Sequence, residues 1–168
     1  MTNNTSAAIR VGIGGWTFEP WRGVFYPDGL RQADELAFAA SQLTAIEINA
    51  TYYRLQTPAS FAKWRDATSQ NFKFANKASR YCTNRKVLGE AGESIGKFMA
   101  QGLGELGDRL GPIMWQLAPT KIFNPDDMKA FFALLPANWR ARGCAMRSRR
   151  GMRALRAPSS WRWRAHTG

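Results

Sequence analysis

The sequence predicts an α/β fold with parallel strands, and three observations carry that expectation. Short β-type runs alternate with segments of helical periodicity, in the order β-α-β-α-β-α-β-α. Two helix starts are marked by a polar cap followed by proline, Thr57-Pro58 and Asn124-Pro125. The first and last strand-like runs are bounded by glycine or proline, at Gly14-Gly15 and between Gly111 and Pro119. Such alternation implies parallel strands joined by helical crossovers. Two architectures satisfy it: an open doubly wound sheet, or part of a (β/α)8 barrel. A closed barrel takes eight units and typically about 250 residues. This chain of 168 residues offers about four units.

Each element has its own reason. Residues 10–14 form a short β-type run ending in glycine. Residues 32–42 are apolar at helical spacing (Leu36, Phe38, Ala39), and Asp34 and Glu35 suit the positive end of that helix. Residues 45–49 alternate and carry β-branched side chains, so they read as a strand. The helix begun at Thr57-Pro58 runs to about Thr68 and buries Phe61 and Trp64. Residues 72–76 form a third strand. Ile95, Phe98, Met99, Leu103 and Leu106 mark a third helix. Residues 112–117 form the fourth strand, and the Asn124-Pro125 cap opens a helix through Leu135.

Charge divides the chain near Pro136. Every Asp and Glu lies at or before Asp127, and the first 139 residues carry a net charge of +3. The last 29 hold nine Arg, no Lys, no acid and two Trp, Trp161 and Trp163, and they bring the total to +12. The first nine residues read as a disordered, polar N-terminus without an apolar signal region. Cys82 and Cys144 make no metal or CxxC spacing, and no apolar run approaches the roughly 20 residues of a membrane span. A reduced cytoplasmic protein without a membrane partner is the expectation.

In a parallel α/β fold, polar residues at the C-terminal strand ends face the site. The first strand delivers Trp16. The second delivers Glu47 and Asn49, followed by Tyr52, Tyr53 and Arg54. The third delivers Asn76 and Lys77, with Arg80 beyond, and the fourth delivers Gln116. Glu47 and Lys77 are the catalytic candidates. A carboxylate between Ile46 and Ile48 needs a partner or a function, and Lys77 or Arg54 is placed to pair it. Lys77 alternatively binds an anion such as phosphate. Trp16, Asn49, Tyr52, Arg54 and Gln116 are the ligand-binding candidates, suited to sugar hydroxyls, amides and stacking. A structural ion pair and ordinary loop hydrogen bonding explain the same residue types equally well. Gly12-x-Gly14-Gly15 lacks dinucleotide-fingerprint spacing. The single histidine, His166, lies in the tail, which argues against triad chemistry and a catalytic metal. The cofactor is left unknown.

Four ordered strings resemble the YecE-like family, the domain of unknown function 72. They are Gly12-Ile13-Gly14-Gly15-Trp16, Trp21-Arg22-Gly23-Val24-Phe25-Tyr26-Pro27, Glu47-Ile48-Asn49-Ala50-Thr51-Tyr52-Tyr53-Arg54 and Leu110-Gly111-Pro112-Ile113-Met114-Trp115-Gln116-Leu117-Ala118-Pro119. Phe72 to Lys77 is similar to its third strand. The resemblance spans about residues 10–136 and implies a TIM-type barrel, here a partial one of about four βα units, followed by an irregular basic tail. It implies no activity. The family often has Thr-His after the third strand, whereas here Thr83 precedes Asn84. It continues into a fifth strand of the type Glu-x-Arg-His, which this chain lacks in its own frame.

The segment after Pro136 admits three readings: an Arg/Trp-rich nucleic-acid-binding arm, a solvated disordered tail, or a shifted reading frame. Permitted codons for residues 143–168, taken one base back, read through a Glu-Ala-Arg-His string followed by a helical pattern. The frame shift is therefore the favoured expectation, with nucleic acid a partner only through the tail. A truncated barrel is further expected to expose sheet edges and an apolar interior, both promoting aggregation. Its expected ligand is a small polar molecule of sugar or phosphate type, and its oligomeric state is open.

Overall fold

Ile46, Ile48 and Phe74 organise the molecule. The structure, a computed structural model, describes residues 9–136. The predicted N-terminal disorder falls almost entirely outside that range, and the Arg-rich tail falls wholly outside it. Within it, β1 (Gly12–Gly14), β2 (Ala45–Ile48), β3 (Lys73–Lys77) and β4 (Leu110–Met114) form one parallel sheet in the order β1-β2-β3-β4. Strand alternation sends Ile46, Ile48, Phe74 and Asn76 to a buried face. Leu36, Phe61, Ile95, Phe98 and Phe131 belong to the same apolar cluster. They come from α1 (Glu35–Gln42), α3 (Pro58–Asp66), α5 (Gly92–Ala100) and α6 (Pro125–Leu134).

The strand order never reverses. A doubly wound sheet reverses its order at a switch point, and no reversal occurs among these four described strands. The opposite face carries Gly12, Gly14, Ala45, Glu47, Lys73, Ala75 and Lys77, with Met114 its one large apolar residue, 41% exposed. The expectation of a broadly apolar open face is corrected: apart from Met114, these residues are small or charged.

Both proline-marked helix starts are present. The Thr57 hydroxyl accepts from Ser60 N, and the Asn124 side chain accepts from Asp126 N and Asp127 N. Other boundaries moved. The first helix opens with a 3-10 turn, Gln32–Asp34. The third predicted helix breaks after Ala100 and resumes as a 3-10 segment, Leu103–Arg109. Gly102 at the break has φ 115°, where only glycine is comfortable. A Cβ there would lie 2.7 Å from Pro58 Cα. The fourth strand starts and ends earlier than predicted, because Leu110 already pairs with Phe74. Two four-residue helices, α2 (Ala50–Tyr53) and α4 (Arg80–Thr83), follow the ends of β2 and β3. Among the described residues no helix is long and apolar enough to cross a membrane.

Candidate functional site

The C-terminal ends of β2 and β3 are tied together by one buried threonine. Thr51 Oγ1, on α2, lies 3.0 Å from Ile48 O and 2.7 Å from Lys77 O. Its neighbour Tyr52 therefore stands beside Lys77, whose Nζ sits 5.1 Å from the Tyr52 ring centroid, a cation–π arrangement. Asn84 Nδ2 donates to the Tyr52 hydroxyl at 3.2 Å. Tyr53 packs edge-on against Tyr52 at 5.1 Å. On α4, Arg80 lies 5.4 Å from the Tyr81 ring centroid. Interaction with Tyr81 first, and with the Tyr52 and Tyr53 phenols after it, holds the Arg80 pKa above its ordinary value. Two cations and three tyrosines thus share one end of the sheet. No carboxylate among the described residues forms an ion pair with Lys77 or Arg80.

Asn49 occupies the β1 side. Its Nδ2 would lie 3.3 Å from a Cβ at Gly14, so glycine makes room for it. Gly15 N donates to Glu47 O at 2.9 Å, which closes β1 onto β2. Glu47 and Lys77 share the open face and are half-buried. The predicted pairing of Glu47 with Lys77 or Arg54 is absent. Glu47 lies in register with Ala75, and Lys77 is two residues farther along β3. Strand spacing separates their Cα atoms by about 8 Å, and Lys77 leans over Tyr52 instead. Water reaches the half-buried carboxylate, so it needs no ionic partner.

The remaining predicted residues are dispersed. Arg54 and Gln116 are exposed, beyond the ends of α2 and β4. Trp16 packs edge-on against Trp64 of α3 at 5.4 Å, and its carbonyl accepts from the Tyr26 hydroxyl at 2.5 Å. It lines a cleft of about 410 Å³ with Leu36, Lys63 and Trp64, on the α1–α3 side. Asn76, expected at the strand end, is buried on the core face and donates to Phe74 O at 3.2 Å.

A larger cleft, about 1020 Å³, opens between the segment after α4 and the β4–α6 loop. Arg85, Val87, Ile122 and Phe123 are among its walls, and Asn84 borders both this cleft and Tyr52. Lys121 is engaged by Asp127 Oδ2 at 2.6 Å and Lys86 O at 2.7 Å. The Lys121 hydrogen bond, then the Gly89 N–H, holds the Asp127 carboxyl below its ordinary range. Among the described residues no group of three or more His, Cys, Asp or Glu could hold a metal ion.

Sequence reasoning missed Asn84, Thr51 and Glu35. Glu35 is fully buried, and its Oε1 accepts from Arg22 Nε at 2.8 Å. Burial first, and the Glu35 charge second, raises the Tyr26 pKa above its ordinary value. Proximity to a helix start was the only signal Glu35 gave, and it suggested a surface role.

Comparison with known proteins agrees with this architecture. Residues 10–150 match the family described as "Protein of unknown function DUF72". The UPF0759 protein YecE of Escherichia coli K12 is 24% identical over 127 residues, covering 76% of this chain and 43% of that protein. A DUF72 family protein of Thermotoga maritima MSB8 superposes with a TM-score of 0.60 at 26% identity, over 74% of this chain and 50% of that one. One from Enterococcus faecalis V583 gives a TM-score of 0.56 at 20% identity, over 76% and 46%. The chain thus spans about half the length of these relatives. With the sequential parallel sheet and the match to residues 10–150, these likenesses establish that the chain belongs to the DUF72 family.

Proposed function

We propose that the four βα units are the first half of a (β/α)8 barrel whose inner face binds a small polar ligand at its C-terminal end. Glu47, Asn49, Tyr52 and Lys77 supply the near groups, and Arg54 and Gln116 border them in a completed barrel. The observation that carries this reading is the pair Glu47 and Lys77. Both sit half-buried on the open sheet face, and neither has an ion-pair partner among the described residues. A carboxylate and an ammonium held apart on one face suit a ligand that donates at one end and accepts at the other. Glu47 is the residue we propose for proton transfer, and its half-burial on the open face beside Asn49 supports that reading. A thermal-shift screen of neutral sugars and polyols against the 168-residue chain tests the site. Stabilisation that disappears in Glu47→Gln supports it, and stabilisation indifferent to Glu47→Gln removes Glu47 from the site.

A second proposal concerns the segment after Pro136. Its nine Arg and lack of acids match GC-rich coding DNA read out of frame, and the neighbouring frame accommodates Glu-Ala-Arg-His. The family match extends to residue 150, and the Glu-Ala-Arg-His string is read across the codons of Ser148 to Met152, so the codons between Pro136 and Met152 are the decisive ones. A locus in which no neighbouring frame encodes Glu-x-Arg-His there rules the shift out.

A further inference from the structure

We propose that the Lys77–Tyr52–Arg80 group is an oxyanion subsite for a phosphomonoester, with Asn84 as the residue that aims the Tyr52 hydroxyl. The inference rests on the reading of this sheet end as a ligand site, and it names the ligand's charged group.

A phenol hydroxyl has one proton to give and lone pairs to receive with. Asn84 Nδ2 already donates to Tyr52 Oη at 3.2 Å. Tyr52 is therefore an acceptor on the Asn84 side, and its own proton is left for another partner. No other hydrogen bond from that hydroxyl is formed to a described residue. Lys77 Nζ, 5.1 Å from the ring centroid, adds three donors and a full charge on the same phenol. Arg80 opens α4 three residues beyond Lys77, at the same sheet end, with its guanidinium 5.4 Å from the Tyr81 ring centroid. The group is made of donors, two of them cationic, and no carboxylate among the described residues neutralises either cation.

That composition selects against neutral ligands as the sole occupant. Lys77, over Tyr52, and Arg80, over Tyr81, put two positive charges at one sheet end, and an anion bound there offsets their repulsion. A phosphomonoester supplies two charges and several acceptor oxygens, enough for Lys77, Arg80 and the Tyr52 proton together. The Thr51 bridge fixes Tyr52 relative to the Lys77 backbone, so the donors are already gathered before binding. The 1020 Å³ cleft beyond Asn84 gives the organic part of such a ligand a place to lie.

The test is isothermal titration of the 168-residue chain with inorganic phosphate, a hexose monophosphate, a nucleoside monophosphate, and the last two without phosphate. The expected result is at least about tenfold tighter binding of a phosphorylated compound than of its unphosphorylated counterpart, as charge-assisted bonds give. Whichever of the two monophosphates binds more tightly identifies the organic part. Lys77→Met and Tyr52→Phe should each remove most of the difference. Asn84→Asp, which turns the Tyr52 proton inward, should weaken the phosphorylated compound about tenfold without lowering the melting temperature, while Asn84→Gln restores binding. Phosphate binding unchanged in Lys77→Met would place it away from Lys77 and overturn the proposal. Equal binding with and without phosphate, lost in Glu47→Gln, overturns the proposal while the polar-ligand reading stands. No binding by any compound overturns both.

Discussion

Glu35 is fully buried, and only one of its oxygens has a partner: Oε1 meets Arg22, while Oε2 meets none among the described residues. A buried carboxylate with one charge-assisted bond is stabilising only while that bond lasts. Glu35→Gln keeps the volume and gives up the charge, and it should cost about 2 kcal/mol in denaturant unfolding. A neutral or stabilising result would mean the desolvation of Glu35 outweighs its bond. Cys82 is the second residue whose burial has a measurable consequence. Burial pushes its thiol from 9.0 up to about 11, with Arg85 opposing weakly. A raised thiol pKa in the fold means the folded state keeps its proton longer. That contribution is full below about pH 9 and is lost as pH rises toward 11. Cys82→Ala, in a Cys144→Ser background, should flatten base-induced unfolding in that window. Thiol reagents at pH 8 should leave Cys82 untouched until the chain unfolds.

Among the elements, the helix α5 and the 3-10 segment after it are governed by Gly102. Its positive φ and its closeness to Pro58 forbid a side chain twice over. Gly102→Ala should cost more than about 2 kcal/mol, read as a drop in melting temperature, through strain and displacement of α3. A loss under about 0.5 kcal/mol would show that the backbone there relaxes freely. The same break shows where sequence stops being legible. Thr57-Pro58 and Asn124-Pro125 announced their helices because a cap is a local hydrogen bond between near neighbours. Ile95 to Leu106 keep an apolar spacing across Gly102, so periodicity alone joined two segments into one. The helices α2 and α4 are one turn long, too short for any period to register. Asn84 follows the second of them, and its partner Tyr52 is distant in sequence, which is why the strand-end rule found Tyr52 and Lys77 but not the amide that donates to Tyr52. Glu35 escaped for a like reason: Arg22 reaches it from an irregular loop.

The whole molecule is asymmetric across its sheet. Ile48 has no exposed surface, whereas Met114 on the other face is 41% exposed. Met114→Gln should therefore change stability by less than about 0.5 kcal/mol, while Ile48→Ala should cost about 2–4 kcal/mol. Comparable losses at both positions would mean that something covers the open face in solution. The sheet's two edges, β1 and β4, are three and five residues long, and short edges template pairing poorly.

The makeup of that open face bears on steric volume. The centre of a (β/α)8 barrel is a solid plug of layered side chains, mostly bulky and branched. Gly12, Gly14, Ala45 and Ala75 contribute almost no bulk to such a plug. Any strands that close a barrel on this sheet must supply the missing girth themselves, with large side chains set opposite these glycines and alanines. The two halves of such a barrel are then unequal by construction, one a shallow mould carrying Glu47 and Lys77 at its rim, the other the cast that fills it.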